Sequence, residues 1–183
     1  MDVIVTNPPY SQRWGADDFY LEQDRFSDFG VIPPRSYADY AFLLSMFYML
    51  KPDGTMAILL PHGVLFRGGR EGQIRQKLIE NNYIDAVIGL PENVFYGTSI
   101  PVICMVLRKN KETDDVFFID ASKDFVKEGN KNYMPDSAVD RIVEAYAARQ
   151  EEEKYASVAT LEDLQDNDYN LNIPRYVDTF EEE

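Results

Sequence analysis

A chain of 183 residues with 45% hydrophobic and 13% aromatic content has room for one domain with a sizeable core, which excludes a wholly disordered polymer. The formal net charge of -14 argues against a nucleic-acid binder working through bulk electrostatics, although residues 150–183, with eleven acidic and two basic side chains, hold most of that charge. Cys104 and His62 are the only residues of their kinds, which leaves no disulfide and no Cys/His metal cluster within this chain; with no signal peptide and no long apolar span, a soluble cytoplasmic protein is expected.

The first predicted strand is the β-branched run Val3, Ile4, Val5. Asn7-Pro8-Pro9-Tyr10 follows it, and two prolines forbid the strand's continuation, so polar and aromatic groups are presented at its C-terminal end, where open α/β sheets hold their ligands. Such a tetrapeptide suits one chemistry. A planar amino group is a poor nucleophile because its lone pair is delocalised. Acceptors placed on its hydrogens, here the Asn7 side-chain oxygen and the Pro8 carbonyl, draw the nitrogen toward a tetrahedral, nucleophilic form. Pro8 and Pro9 stiffen the loop, and Tyr10 offers a flat face. Stacking is worth ~1–3 kcal/mol per base, and an enzyme that modifies a base inside a duplex must flip it into such a pocket. Taken alone, the stretch also reads as a strand ended by an ordinary Asn-Pro turn.

Residues 11–37 carry Trp14, Phe19, Tyr20, Phe26 and Phe29 among charges and close on Pro33-Pro34, without a periodic pattern; a substrate-contacting lid is expected, with a disordered excursion as the alternative. Ser36 is placed to cap a helix over 37–50, which the turn at Lys51-Pro52-Asp53-Gly54 ends. A buried strand over 55–60 completes a strand–helix–strand crossover, right-handed and parallel by base rate. The loop from His62 to Arg70 lies at the same sheet edge as Asn7, and its Arg67 and Arg70 are candidates to contact a phosphate or carboxylate, with a solvated turn as the plain alternative. An amphipathic helix over 71–82, a strand over 84–90 and a strand over 100–107 follow, the last pair joined by so short a link that antiparallel neighbours are expected. Within that link Phe95 and Tyr96 are candidates for a second stacking face, or for core packing. A short strand over 116–119 and a helix capped by Asp136 or Ser137 come next, and residues 161–176 read as a surface-docking segment. Cys104 sits in an apolar run and reads as a buried core residue.

Asn7-Pro8-Pro9-Tyr10 resembles the catalytic motif of amino-group methyltransferases that use S-adenosylmethionine, among them adenine-N6 DNA, guanine-N2 RNA and glutamine-N5 protein enzymes. With Ala38-Asp39-Tyr40-Ala41-Phe42-Leu43, the run from Leu60 to Gly69, Leu90-Pro91 to Phe95-Tyr96-Gly97-Thr98, and Asn170-Leu171-Asn172-Ile173-Pro174-Arg175-Tyr176, the chain resembles the C-terminal half of the modification subunit of type I restriction-modification systems. The resemblance spans almost the whole chain. It implies an α/β fold, the second half of a doubly wound methyltransferase sheet with one antiparallel strand, followed by a helical and extended C-terminal tail. The boundary is expected at 120, with a partial catalytic domain over 1–120 and a helix and acidic docking tail over 121–183.

The resemblance further implies methyl transfer from S-adenosylmethionine to the N6 of a flipped adenine, with Asn7, Pro8, Pro9 and Tyr10 as catalytic residues; Phe95 and Tyr96 remain candidates to stack on the base, and Arg67 and Arg70 candidates to contact DNA. DNA, a specificity subunit and a restriction subunit are the implied partners, and no membrane is involved. A glutamine-N5 protein methyltransferase and a non-catalytic interaction fragment are the competing readings. No G-x-G-x-x-G loop follows a strand, so the cofactor-binding half is expected to be missing, the isolated chain inactive, and its grip on the cofactor weak. The expected strand order is 3–5, 55–60, 100–107, then 84–90 outermost. The free edge of strand 3–5 invites self-association unless residues 11–37 cover it.

Overall fold

The computed structural model describes residues 1–180. Its centre is a six-stranded mixed sheet built from β1 (Val3–Thr6), β2 (Thr55–Pro61), β3 (Ile84–Gly89), β4 (Val102–Arg108), β5 (Val116–Asp120) and β8 (Ala156–Ala159), in the spatial order β1-β2-β4-β3-β5-β8. β1 and β2 are parallel, β4 runs antiparallel to both β2 and β3, β5 is parallel to β3, and β8 is antiparallel to β5. The first four strands take the expected order. The expectation that residues 84–90 lie outermost is corrected: β5 and then β8 extend the sheet beyond β3. The reason is burial. Val116, Phe117, Phe118 and Ile119 are all buried, so both faces and both edges of β5 need covering, and β8 supplies the last neighbour.

Alternation along the strands feeds two cores. Ile4, Met56, Ile58, Leu60, Val87, Met105 and Phe118 face one layer, which α2 (Asp39–Tyr48) and α3 (Gly69–Glu80) fill with Leu43, Leu44, Phe47, Ile74 and Leu78. On the other face Ala86, Ile88, Val106, Phe117 and Ile119 form a smaller core against Tyr155 and the flank of α4 (Asp136–Ala148). That second layer does not reach β1. Val3 is 68% and Val5 81% exposed, and β2 is the only strand neighbour of β1 among the described residues. Cys104 lies at the margin of the second core, half-buried instead of fully buried, and burial pushes its thiol up to about 11, far from a nucleophile's range.

Residues 11–37 are ordered, which excludes the disordered excursion. They form a 3-10 turn (Asp18–Glu22) and α1 (Asp24–Ser27), and bury Phe26, Phe29 and Ile32 in the main core. Trp14 tilts against Tyr20 and Phe26 with ring centroids at 5.4 and 6.0 Å, and its indole N–H donates to the Pro34 carbonyl at 2.9 Å. Ser36 does not cap α2. It sits in the turn closed by Tyr37 N–H on the Pro34 carbonyl, and the helix starts later, behind Ala38, with no side-chain cap bond.

The segment after residue 120 is tied into the same body. β6 (Val126–Glu128) and β7 (Lys131–Tyr133) form a hairpin, and α5 (Leu161–Asp166) begins with a capping box between Thr160 and Asp163. Leu164, Leu171, Ile173 and Val177 enter the main core. Leu171 N–H donates to the Leu65 carbonyl at 2.8 Å, and the Tyr176 ring stacks on Phe118 at 4.2 Å. Ile173 presses so closely on β3 that a Cβ at Gly89 would meet its Cδ1 at 2.7 Å, which explains the glycine.

Candidate active site

The parallel strands β1, β2, β3 and β5 end at one edge, and that edge gathers the candidate residues. Pro8 is buried, Tyr10 half-buried, and Asn7 and Pro9 exposed. The Tyr10 hydroxyl donates to Asn7 Oδ1 at 2.5 Å, the oxygen expected to accept from a target amine. Burial pushes the Tyr10 phenol up, against the pull of that bond. Ser11, directly after the loop, sits in the left-handed region at φ 50°, a conformation an L-residue holds only when its surroundings impose it. Its N–H donates to Asp39 Oδ1 at 2.8 Å, and Ala38 N–H donates to the Gln12 carbonyl at 2.8 Å, so the exit of the loop is pinned to the start of α2.

Asp39 is fully buried and belongs to a cluster that sequence reasoning did not single out. Arg67 lies 3.6 Å from Asp39 Oδ2 and 3.5 Å from Glu71 Oε2, and its guanidinium covers the Tyr37 ring at 3.9 Å. The carboxylates met by Arg67 are therefore those of its own chain, whereas Arg70 stands exposed in the first turn of α3. Asp39 Oδ2 and Glu71 Oε2 are buried without a hydrogen bond. Burial pushes the Asp39 carboxyl up, against the Ser11 amide and Arg67. Glu71 is pushed up to about 7, first by burial, with Arg67 opposing and Asp39 adding to the rise. The only earlier signal was an acid at a helix start, which ordinarily reads as a dipole partner.

The Glu71 shift fixes a sign. Its folded value lies above the ordinary 4.5, so the fold favours the protonated acid and stability is lost as pH rises from about 4.5 to 7, by ~3 kcal/mol in all. Glu71→Gln is expected to be more stable than the wild type at pH 8 and nearly level with it at pH 5. Thermal unfolding at the two values checks this; a difference that does not change with pH would contradict it.

Phe95 and Tyr96 lie in the link from β3 to β4, Phe95 half-buried and Tyr96 95% exposed. β4 is two strands from β1, so the link leads into a strand that begins at the same edge as the Asn7 loop, ~10 Å across the sheet from β1. His62, after β2, bonds through Nε2 to Asn172 Oδ1 at 2.9 Å, which ties the tail to that edge as well. A cavity of about 420 Å³ lies elsewhere: Asp85, Arg108, Lys111, Tyr146 and Arg149 line it at the opposite end of the sheet, and Arg149 there is held by Asp85 at 2.9 Å and Asp115 at 2.6 Å. No cluster of metal-ligating side chains occurs among the described residues, and no helix among them is long and apolar enough to cross a membrane.

The residues gathered at this edge offer an amide oxygen, a backbone carbonyl and an aromatic ring, and among the described residues no glycine-rich turn follows a strand there to fit the cofactor. The free edge and exposed Val3 and Val5 of β1 stand where a cradle would have to adjoin Asn7, and the glycines at 68 and 69 lead into α3 after a 3-10 turn instead of following a strand.

A mixed sheet with Asn-Pro-Pro-Tyr at the C-terminal end of β1 defines the fold class of the S-adenosylmethionine-dependent methyltransferases. A class I member from Listeria monocytogenes, 18% identical, shares the fold with a TM-score of 0.55 over 79% of this chain and 41% of that one. The chain belongs to the N-6 DNA methylase family, whose profile matches residues 1–183. It is similar to the type I restriction enzyme MpnII methylase subunit of Mycoplasma pneumoniae, at 38% identity over 97% of this chain and 33% of that one, and to the MjaVII methylase subunit of Methanocaldococcus jannaschii, at 34% identity over 100% and 33%. The crystal structure of the type I restriction-modification system methyltransferase subunit from Streptococcus thermophilus matches with 52% identity and a TM-score of 0.95 over 97% of this chain and 38% of that chain. The chain thus spans about a third of the length of the curated relatives it matches.

Proposed function

We propose that this chain is the amine-activating part of a type I methylase subunit, which transfers a methyl group from S-adenosylmethionine to the N6 of a flipped adenine in DNA. The observation that carries the reading is the Asn7 loop, stiffened by two prolines, pinned through Ser11 to Asp39, and opening at the carboxyl edge of the sheet. Asn7 Oδ1 and the Pro8 carbonyl accept from the adenine amine and withdraw its lone pair from the ring. When bound, S-adenosylmethionine would supply the electrophilic methyl group: the N6–carbon bond forms as the sulfonium–methyl bond breaks, the thioether S-adenosylhomocysteine leaves, and the surplus N6 proton passes to solvent.

The Tyr10 hydroxyl donates to Asn7 Oδ1, so the hydroxyl and a target amine share one acceptor, while the Tyr10 ring stacks on the base. Tyr10→Phe is therefore expected to capture the base at least as well as the wild type, and Tyr10→Ala to weaken capture ~10- to 100-fold, the equivalent of one stacked base. Fluorescence of 2-aminopurine at the target position in a duplex, read with the full-length subunit, checks both. Equal damage from the two changes would assign the role to the hydroxyl and overturn the stacking.

Arg70 is read as a contact to DNA phosphate, with Arg67 holding the Asp39–Glu71 cluster behind the loop. The exposed acidic face after residue 120 is read as a docking surface for a specificity and a restriction subunit, which together supply the grip on DNA that an acidic chain lacks. The 183-residue chain alone is expected to bind S-adenosylmethionine weakly and to self-associate through the free edge of β1. Calorimetric titration with the cofactor and light scattering check these two; micromolar binding by a monomer would contradict them.

A further inference from the structure

The link from β3 to β4 has no regular structure, and two of its residues hold left-handed backbone, Asn93 at φ 58° and Gly97 at φ 81°. A segment of this kind does not hold one shape by itself. What holds it comes from 33 to 40 residues further on. The β6–β7 hairpin turns at Gly129-Asn130, with Gly129 at φ 61°, and its residues are exposed or half-buried, so no core fixes it either. Two strands this short are marginal alone.

Hairpin and link are fastened to each other. Asn132 N–H donates to the Asn93 carbonyl at 3.0 Å, Asn132 Nδ2 to the Glu92 carbonyl at 2.8 Å, and Asn93 Nδ2 to the Asn130 carbonyl at 2.7 Å. At the centre, the Lys131 ammonium donates to the Phe95 carbonyl at 2.7 Å and to Asn93 Oδ1 at 3.0 Å, and reaches the Thr98 carbonyl at 3.5 Å. An ammonium has three hydrogens, and the three acceptors within its reach all belong to the turn that presents Phe95 and Tyr96, with no carboxylate within ion-pair distance among the described residues. A solubilising surface lysine would leave its head in water; this one gathers the two sides of a turn.

We infer that Lys131 is a positioning residue, and that the β6–β7 hairpin is a clamp that sets where Phe95 and Tyr96 stand against the Asn7 loop. The inference rests on the reading of Phe95 and Tyr96 as the second stacking face. Without the ammonium, Asn93 and the Phe95 carbonyl lose their shared donor, the link samples other conformations, and a flipped base meets a face that is no longer preorganised.

Two measurements on one set of variants test the clamp. In the 183-residue chain, exchange of the Asn132 amide, whose hydrogen the Asn93 carbonyl accepts, is expected to be at least tenfold faster in Lys131→Met than in the wild type, and close to the wild type in Lys131→Arg, with the thermal midpoint of all three within about two degrees because the hairpin buries no core. In the full-length subunit, Lys131→Met is expected to weaken 2-aminopurine capture and raise the KM for DNA about tenfold, with cofactor affinity unchanged and Lys131→Arg restoring most of the loss. Phe95→Ala and Tyr96→Ala separate the two layers. If they weaken capture and Lys131→Met does not, the clamp is overturned. If they leave capture unchanged, the stacking face is overturned, and the exchange measurement alone still decides whether Lys131 holds the link; unchanged exchange refutes it.

Discussion

Asn7→Ala in the full-length subunit is expected to lower the rate of methyl transfer by ~10²–10³ while leaving cofactor affinity nearly unchanged. The size follows from the role. An acceptor aimed at the reacting nitrogen acts mainly as that nitrogen becomes tetrahedral, and loss of one such preorganised contact costs ~3–4 kcal/mol in comparable sites. The cofactor is spared because Asn7 lies in an exposed turn at the end of β1, and its one side-chain bond in this structure is the hydroxyl of Tyr10. Single-turnover kinetics with a cofactor-binding titration alongside separate the two quantities. A variant that turns over like the wild type would remove Asn7 from the chemistry.

The second large effect concerns stability. Arg75 is buried, and its guanidinium donates to the carbonyls of Tyr169 at 2.8 Å, Arg67 at 2.8 Å and Val64 at 3.1 Å. It thereby joins α3, the loop after β2 and the C-terminal tail. Arg75→Met keeps most of the volume and deletes all three bonds. Each is charge-assisted and worth ~1.5 kcal/mol, so a loss of ~3–5 kcal/mol is expected, seen as a fall of ~10 °C in thermal midpoint. Lys, with one charge centre and no fork, recovers only part of it. A shift under two degrees would mean that the tail is held by Leu171, Ile173 and Val177 alone.

The parts legible from sequence were those in which pattern and punctuation agree. Val3 to Val5 before two prolines, the apolar run ended by Pro61, and the pair of strands joined across Phe95 gave four strands, their order and the position of the Asn7 loop. β8 was not legible because Ala156-Ser157-Val158-Ala159 is small and weakly apolar, and only its pairing with β5 makes it a strand. The packing of the tail was hidden by composition: Leu164, Leu171, Ile173 and Val177 are spaced among acids, and no single period connects them. The hairpin at 126–133 was masked by its charges, although Gly129-Asn130 between short runs is a hairpin signal. The Asp39–Glu71 cluster was not legible because its partner, Arg67, arrives from a loop whose path depends on the whole fold.

Product analysis tests the central claim most directly. A duplex methylated by the full-length subunit and S-adenosylmethionine is digested to nucleosides and resolved by mass spectrometry, with a glutamine-containing peptide treated in parallel. N6-methyldeoxyadenosine, formed by the wild type and absent with Asn7→Ala, is the predicted result. A methylated peptide amide with unmodified DNA, or methylation at a position other than adenine N6, would contradict it.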